Sequence, residues 1–299
     1  MNKTILCSCK EYYEKCKEKY CLNNKQEKLS YNIYDYSILE FQRENENNKN
    51  NDFFQFDEEY DKCIELLSRQ LNTTLHRYGT KTRYATQCQI KDFPRNADFQ
   101  HSLNIILEKI ARKIEKHIHK CYINCNHIIY YRSFSVSETK VDNNTSWQWH
   151  KDGHPNQYYK ILLYLSDVNM NNGPFSYITD KDGNAIRLPS NHKYVFKNGE
   201  KDNNFLLKDN SIPYSDQACS RIPLNYIEHL KTQGYLEKQF VGKKGSFIVF
   251  NENIIHRASF CRKKHRDAIV FTFRPNLTRV NNYYTDSAAI NGVAFHHWT

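Results

Sequence analysis

A histidine and an aspartate stand two residues apart in His150-Lys151-Asp152, directly after the alternating aromatics Trp147-Gln148-Trp149. In an extended chain residues i and i+2 face the same way, so this spacing presents an imidazole and a carboxylate together at a strand end. A metal held there needs a third protein donor. The run from Gly245 to His256 supplies it, because a hydrophobic strand, a tight turn through Asn251-Glu252-Asn253 and a second short strand bring His256 back to the same interior. Two imidazoles and one carboxylate on one face make the facial triad that binds non-haem Fe(II) and leaves other positions open.

A co-substrate that chelates such a metal needs a cation for its far carboxylate. Arg266 meets that need at the start of the strand Arg266-Asp267-Ala268-Ile269-Val270-Phe271-Thr272-Phe273-Arg274, ten residues after His256. Its planar fork matches a carboxylate with two parallel hydrogen bonds. Arg274 shares its parity and is the second choice. Lys160 stands in the apolar strand Tyr158-Tyr159-Lys160-Ile161-Leu162-Leu163-Tyr164. If it faces inward with Leu162 and Tyr164 it requires an anion, either co-substrate or substrate; a lysine snorkelling from an edge strand is the alternative. His154, at the end of His150-Lys151-Asp152-Gly153-His154, and Trp149 are the candidates for substrate contact. A solvated turn histidine and a core aromatic are the blander readings of the same two residues.

The order of His150-x-Asp152, the turn Asn171-Asn172-Gly173-Pro174-Phe175, His256 and Arg266-Asp267-Ala268-Ile269 resembles the phytanoyl-CoA dioxygenase family. That family is a branch of the Fe(II)- and 2-oxoglutarate-dependent oxygenases, and the resemblance spans residues 126–275. It implies a double-stranded β-helix core, His150, Asp152 and His256 on Fe(II), Arg266 on the distal carboxylate of 2-oxoglutarate, and use of O2. Hydroxylation of an unactivated carbon in a small organic substrate is the implied outcome, with an anionic, CoA-linked or phosphate-linked molecule among the candidates, since related halogenases lack the carboxylate that Asp152 provides here. Two departures bear on the lid and the substrate. Ala258 stands where many members carry a serine two residues after the distal histidine, and the Gly-Ser-His that follows the family's Asn-Gly-Pro turn is replaced by Ile178-Thr179-Asp180-Lys181-Asp182-Gly183. Ser190-Asn191-His192 is the candidate for a displaced version of it.

The elements that must position these groups fall into two halves. Apolar residues recur at three- and four-residue steps over 56–78 and 96–122, so both segments read as amphipathic helices, a helical buttress. From 126 to 275 short apolar runs separated by Gly, Asn, Asp and Pro read as β-structure. The expected strands are 127–137, 146–151, 158–167, 175–178, 239–241, 246–250, 254–258 and 268–274, enough for a jelly roll. The expected fold is therefore mainly β with flanking helices. A long insertion, residues 180–237, carries one short helix at 224–236, and a tail occupies 276–299. Residues 1–55 read as a partly flexible, solvated segment that ends in the polar tract ENENNKNN at 44–51.

Composition bounds the rest. The chain has 299 residues, 39% hydrophobic and 14% aromatic, enough for one large domain with a core. Its ten cysteines lack the dense pairing of a secreted scaffold, and Cys7, Cys9, Cys16 and Cys21 show no second zinc knuckle, so reduced thiols in a cytoplasmic protein are expected. No apolar run is long enough to span a membrane. The formal charge of +10 raises a polyanion partner. No nucleic-acid-binding signature accompanies it, and Lys109, Lys113, Lys116 and Lys120 are spaced as the wet face of a helix, so a small-molecule substrate is preferred to nucleic acid. The same chemistry on a macromolecule, and a metal-binding jelly roll without catalysis, are the two other readings.

Overall fold

The computed structural model describes residues 9–24, 37–43, 54–81, 85–89, 96–116, 120–135, 146–152, 157–188, 194–195, 207–208, 221–222 and 224–280. The chain opens with α1 (Cys9–Asn24) and the short strand β1 (Ile38–Phe41), followed by α2 (Glu58–Tyr78). A hairpin, β2 (Thr80–Lys81) and β3 (Ala85–Gln89), leads to α3 (Ala97–Ile114) and the long strand β4 (Tyr122–Phe134). The central strands are β5 (Tyr159–Tyr164) and β6 (Phe175–Thr179), and the two-residue pair β7 (Tyr194–Val195) and β8 (Leu207–Lys208) lies inside the insertion. Then come α4 (Leu224–Thr232), β9 (Leu236–Phe240), β10 (Phe247–Asn251), β11 (His256–Ala258) and β12 (His265–Asn276).

All strand pairs are antiparallel. One sheet runs β1-β10-β5-β12-β4-β3-β2 and a smaller one runs β11-β6-β9, extended beyond β11 by a bridge between His150 and His256. Consecutive strands cross between the two: β5 belongs to the large sheet, β6 and β9 to the small, β10 to the large, β11 to the small and β12 to the large. That alternation is the double-stranded β-helix, a jelly roll closed around an interior.

Two-residue periodicity explains the layers. One face of the large sheet, carrying Tyr159, Ile161, Leu163, Phe247, Ile269, Phe271 and Phe273, packs under α2 and α3 in a single core with Leu67, Leu71, Leu103 and Ile106. The other face, carrying Leu162, Tyr164, Ile248, Phe250 and Ala268, meets Phe175, Tyr177, Phe240 and Ile254 of the small sheet and its turns. The helices are set by local chemistry. Asp57 caps α2 by accepting the Tyr60 N–H, Asn96 caps α3 by accepting from Asp98 and Phe99, and each cap precedes an apolar stripe turned to the sheet. Tyr60 then donates its hydroxyl to the Gly245 carbonyl at 2.7 Å, and Ser68 donates to Leu165 O at 2.9 Å, tying α2 to the end of the large sheet where β5 finishes and β10 begins.

Several elements differ from the sequence reading. Residues 9–24 are a helix whose Tyr13, Cys16 and Tyr20 are buried in the helix–sheet core, so this part of the N-terminal segment is packed and not merely solvated. β1 and the β2–β3 hairpin extend both edges of the large sheet. The expected strand at 146–151 contracts to one bridging residue, His150, paired with His256 on one side and Arg221 on the other, because the backbone turns at 146–148 before it can pair further. Cys7, the tract at 44–51, Ser190-Asn191-His192 and the tail beyond 280 lie outside the described residues. No helix among the described residues is long and apolar enough to cross a membrane.

Candidate metal centre

His150 and His256 face each other across an antiparallel bridge. Each donates its backbone N–H to the other's carbonyl, at 2.9 and 3.0 Å, and directly opposed residues project on the same face. Their rings consequently lie 4.3 Å apart between centroids. Asp152, two residues beyond His150, is pinned by its N–H to Glu252 O at 2.9 Å. The tight turn that returns His256 is closed by the Asn251 side chain, which accepts the Asn253 N–H at 3.0 Å, as asparagine commonly does in turns.

The histidine orientation suits a metal. His150 Nδ1 lies 2.7 Å from Gln148 O and His256 Nδ1 lies 2.9 Å from Ile254 O, so each Nδ1–H has an acceptor and each Nε2 is left as a lone pair. Such outer contacts fix the tautomer of metal-ligating histidines. Both Nε2 atoms turn to the carboxylate, at 3.8 Å from Asp152 Oδ1 and 3.5 Å from Asp152 Oδ2, and the three donor atoms lie within 4.8 Å of one another. Adjacent ligands on one metal at bonds of about 2.1 Å stand about 3 Å apart. The three groups therefore need to close only slightly. They are the only cluster of this kind among the described residues.

The protonation states agree. Burial, reinforced by the charge of His256, lowers His150 to about 3, and burial likewise lowers His256. Burial raises the Asp152 carboxyl, but Lys160 and the two imidazoles outweigh it and hold the group ionised, below the usual carboxylate range. Neutral imidazoles and a carboxylate are the forms that bind metal. Phe175 and Phe250 pack against the His256 ring, with centroids 5.4 and 5.3 Å away, and wall the site with hydrocarbon.

Lys160 faces inward, as Leu162 and Tyr164 do, and its anionic partner is Asp152, 2.7 Å from Nζ to Oδ2. Fully buried Glu252 stands 3.8 Å from the same ammonium. Burial opposes the Lys160 charge, and the two carboxylates more than restore it, so its pKa is raised.

Arg266 is buried on the inward face of β12 and donates Nη1 to the Gly173 carbonyl and Nη2 to the Tyr131 hydroxyl at 3.3 Å. Its Nε has no hydrogen-bond partner among the described residues. The Asn-Gly-Pro turn thus positions the arginine. Gly173 has φ +73°, and a β-carbon there would meet Ser259 O at 2.7 Å, so only glycine fits. Asn172 ties the turn to the start of β12 through Lys263 O and His265 O, both 3.3 Å from Nδ2. Asp267 faces the opposite way and forms a two-pronged pair with Arg132, at 2.7 and 2.8 Å, which fixes the strand from its other side. Ala258 faces inward, paired with Phe175, while Ser259 bonds Gln239 Nε2 at 3.1 Å on the outer face.

The remaining assignments separate. Trp149 is one residue from His150 and therefore points to the outer face of the small sheet, where it packs with Ile178, Leu188 and Ile227 beneath the Arg257 guanidinium, 4.4 Å from the ring centroid. It belongs to that outer core, the core-aromatic reading of this residue. Arg274 pairs opposite Asn124, eight residues along β12 from Arg266 and about 26 Å away at 3.3 Å per residue, too far to share a ligand. His154 lies outside the described residues. Tyr131, Glu252 and Arg221 join the site without a sequence signal; each arrives by cross-strand pairing or by the turn before His256.

No protein-family model matches the chain, and no curated protein matches it. Solved structures resemble it weakly. They include the epimerase SnoN in complex with Fe3+, alpha ketoglutarate and nogalamycin RO, at 8% identity and TM-score 0.45, covering 88% of this chain and 83% of that one. AviO1 from Streptomyces viridochromogenes Tue57 has 10% identity and TM-score 0.45, over 83% of this chain and 95% of that one. EctD from S. alaskensis with bound Fe has 12% identity and TM-score 0.45, over 83% of this chain and 76% of that one. Likeness at this level carries no conclusion about chemistry, and the fold assignment rests on the strand order itself.

Proposed function

We propose that this chain is an Fe(II)- and 2-oxoglutarate-dependent oxygenase that hydroxylates an unactivated carbon of a small organic molecule, in keeping with its resemblance to the phytanoyl-CoA dioxygenase family. The observation that carries the reading is the convergence of His150 Nε2, His256 Nε2 and the Asp152 carboxylate inside the β-helix, with both Nδ1 atoms already committed to carbonyls. This donor set is the one that holds non-haem Fe(II) with open positions. When bound, the iron and 2-oxoglutarate supply the activation of O2 and the conversion of the keto acid to succinate and CO2.

The protein's part is binding, orientation and exclusion of water. His150, Asp152 and His256 hold the metal, and Lys160 fixes the carboxylate through Oδ2. Arg266 offers its unpartnered Nε to the distal carboxylate of 2-oxoglutarate. Tyr131 takes the place of the serine that Ala258 lacks: its hydroxyl accepts from Arg266 and keeps its own proton for the same carboxylate. Phe175, Phe250 and Ile254 keep the interior apolar.

Turnover tests this directly. Protein reconstituted with Fe(II) should form succinate from 2-oxoglutarate in the presence of O2, and His150→Ala and His256→Ala should form none. Equal succinate from wild type and both variants contradicts the assignment.

A further inference from the structure

Arg221 is a second arginine inside the barrel, beside the metal ligands. It is bridged to His150 on the side away from His256, with the Ile222 N–H donating to Trp149 O at 2.8 Å. That is the non-hydrogen-bonded kind of antiparallel pair, in which opposed side chains come closest and share a face. Arg221, His150 and His256 therefore stand in one row across the small sheet. The flanking parity agrees, since Trp149 and Ile222 pack together on the outer face. The guanidinium is near enough to disfavour protonation of His150 and to be supported by the charge of Asp152.

What distinguishes Arg221 is the lack, among the described residues, of an anion of its own. Its Nε and Nη1 are buried with no hydrogen-bond partner among the described residues. Among the described residues Asp152 is the only acid that supports its charge, and that carboxylate is already held by Lys160 and is the group a metal takes. Burial opposes a charge left in this condition. Of the two carboxylates of 2-oxoglutarate, one belongs at the metal and the other at Arg266. A third anion is needed.

We propose that Arg221 binds an oxyanion, a carboxylate or a phosphate, carried by the primary substrate, which makes the substrate an anionic small molecule whose reacting carbon lies a few bonds from that charge. The planar fork of arginine matches both groups. The proposal rests on the oxygenase reading above.

The test is calorimetric binding to the full chain loaded with Ni(II) and saturating 2-oxoglutarate, with inorganic phosphate and acetate as separate probes. Wild type should bind one of the two at a single site, and the probe that binds names the group. Arg221→Met should weaken that binding roughly tenfold to a hundredfold and leave the 2-oxoglutarate affinity within about twofold. Arg221→Lys should retain an intermediate affinity. The melting temperature of Arg221→Met should equal or exceed that of wild type, because a half-buried guanidinium whose Nε and Nη1 lack partners among the described residues has been removed. Three results would overturn the proposal: neither probe binds wild type, both bind Arg221→Met as tightly, or Arg221→Met loses 2-oxoglutarate instead. If Arg221→Met does not fold, the same comparison is made with Arg221→Lys, where unchanged probe affinity together with a lowered melting temperature marks a structural role and overturns it. Failure of wild type to bind 2-oxoglutarate would count against the oxygenase reading alone, and the probe titrations of the nickel-loaded protein would still judge Arg221.

Discussion

The Lys160 ammonium lies 2.7 Å from Asp152 Oδ2, so the carboxylate of the ligand set carries a counter-charge before any metal arrives. A metal and Lys160 thus share one anion, with Glu252 standing 3.8 Å from the lysine as its second partner. This arrangement keeps Asp152 and Lys160 ionised in the metal-free protein, neither of the two standing as a lone charge. It also sets lysine and metal in mild opposition.

Lys160→Met should expose that opposition. Removing one member of a buried pair costs about 3–5 kcal/mol, so the metal-free variant should melt well below wild type. A metal then restores the missing counter-charge to Asp152. The rise in melting temperature on adding Ni(II) should therefore be larger in Lys160→Met than in wild type, measured by differential scanning calorimetry. An equal or smaller rise would mean that the lysine and the metal do not compete for the carboxylate.

Arg266 and Tyr131 should govern 2-oxoglutarate and not the metal. A hydrogen bond to a charged group is worth about 1.5–3 kcal/mol, so Arg266→Met should raise the KM for 2-oxoglutarate by roughly tenfold or more. Tyr131→Phe should raise it by a smaller factor, with metal content unchanged in both. Steady-state succinate formation across 2-oxoglutarate concentrations, alongside metal analysis, reads the two effects separately. A loss of metal in either variant would contradict the roles given to them.

Gly173→Ala links the turn to the arginine. The added carbon meets Ser259 O at 2.7 Å and Cys261 N at 2.9 Å, in a backbone with φ +73° that side chains rarely adopt. The turn must move, and with it the carbonyl that Arg266 grips. A destabilisation of about 1–3 kcal/mol is expected, together with a higher KM for 2-oxoglutarate. A stability loss with an unchanged KM would show that the Gly173 carbonyl does not position Arg266.

Asp57 gives a prediction about the buttress. Its carboxylate accepts the Tyr60 N–H at 2.8 Å and pairs with Lys109 at 2.8 Å, and the Lys109 contact, then the Tyr60 bond, lowers its pKa below 3.8. A carboxylate that is more acidic in the folded state stabilises the fold above its unfolded pKa, and the gain is lost as pH falls through the folded value. Asp57→Ala should cost about 1 kcal/mol at neutral pH, the usual worth of an N-cap. In urea titrations the difference from wild type should shrink below about pH 4. A difference that stays constant down to pH 2 would contradict the electrostatic part of the argument.

Legibility in the sequence followed the range of the interaction. His150, Asp152 and His256 could be paired because strand periodicity is local and the return turn is short. The stripes of α2 and α3 were equally plain, as aliphatic residues at helical spacing. α1 was missed because its inward positions, Tyr13, Cys16 and Tyr20, are aromatic and thiol side chains in a field of Lys and Glu, and only tertiary packing shows them to be core. β1 is four residues long, and the hairpin Thr80–Lys81 and Ala85–Gln89 is polar, so neither announces a strand. Parity assigned Lys160 to the interior but could not name Asp152 as its partner. For Trp149 the sequence left core packing and substrate contact both open, and its place on the outer face follows from standing one residue from His150. Tyr131, Glu252 and Arg221 enter the site through contacts that no spacing in the chain encodes.

Anaerobic titration of the Fe(II)-loaded protein with 2-oxoglutarate decides whether His150, Asp152 and His256 hold iron together with the keto acid. Chelation of iron by the keto acid gives a weak visible charge-transfer band, which requires the ligand set and the co-substrate together. The account predicts that the band appears and saturates in wild type, needs higher 2-oxoglutarate in Arg266→Met, and is absent in His256→Ala. Iron that loads onto wild type without any band would contradict it, and would leave a jelly roll that holds a metal for some purpose other than 2-oxoglutarate chemistry.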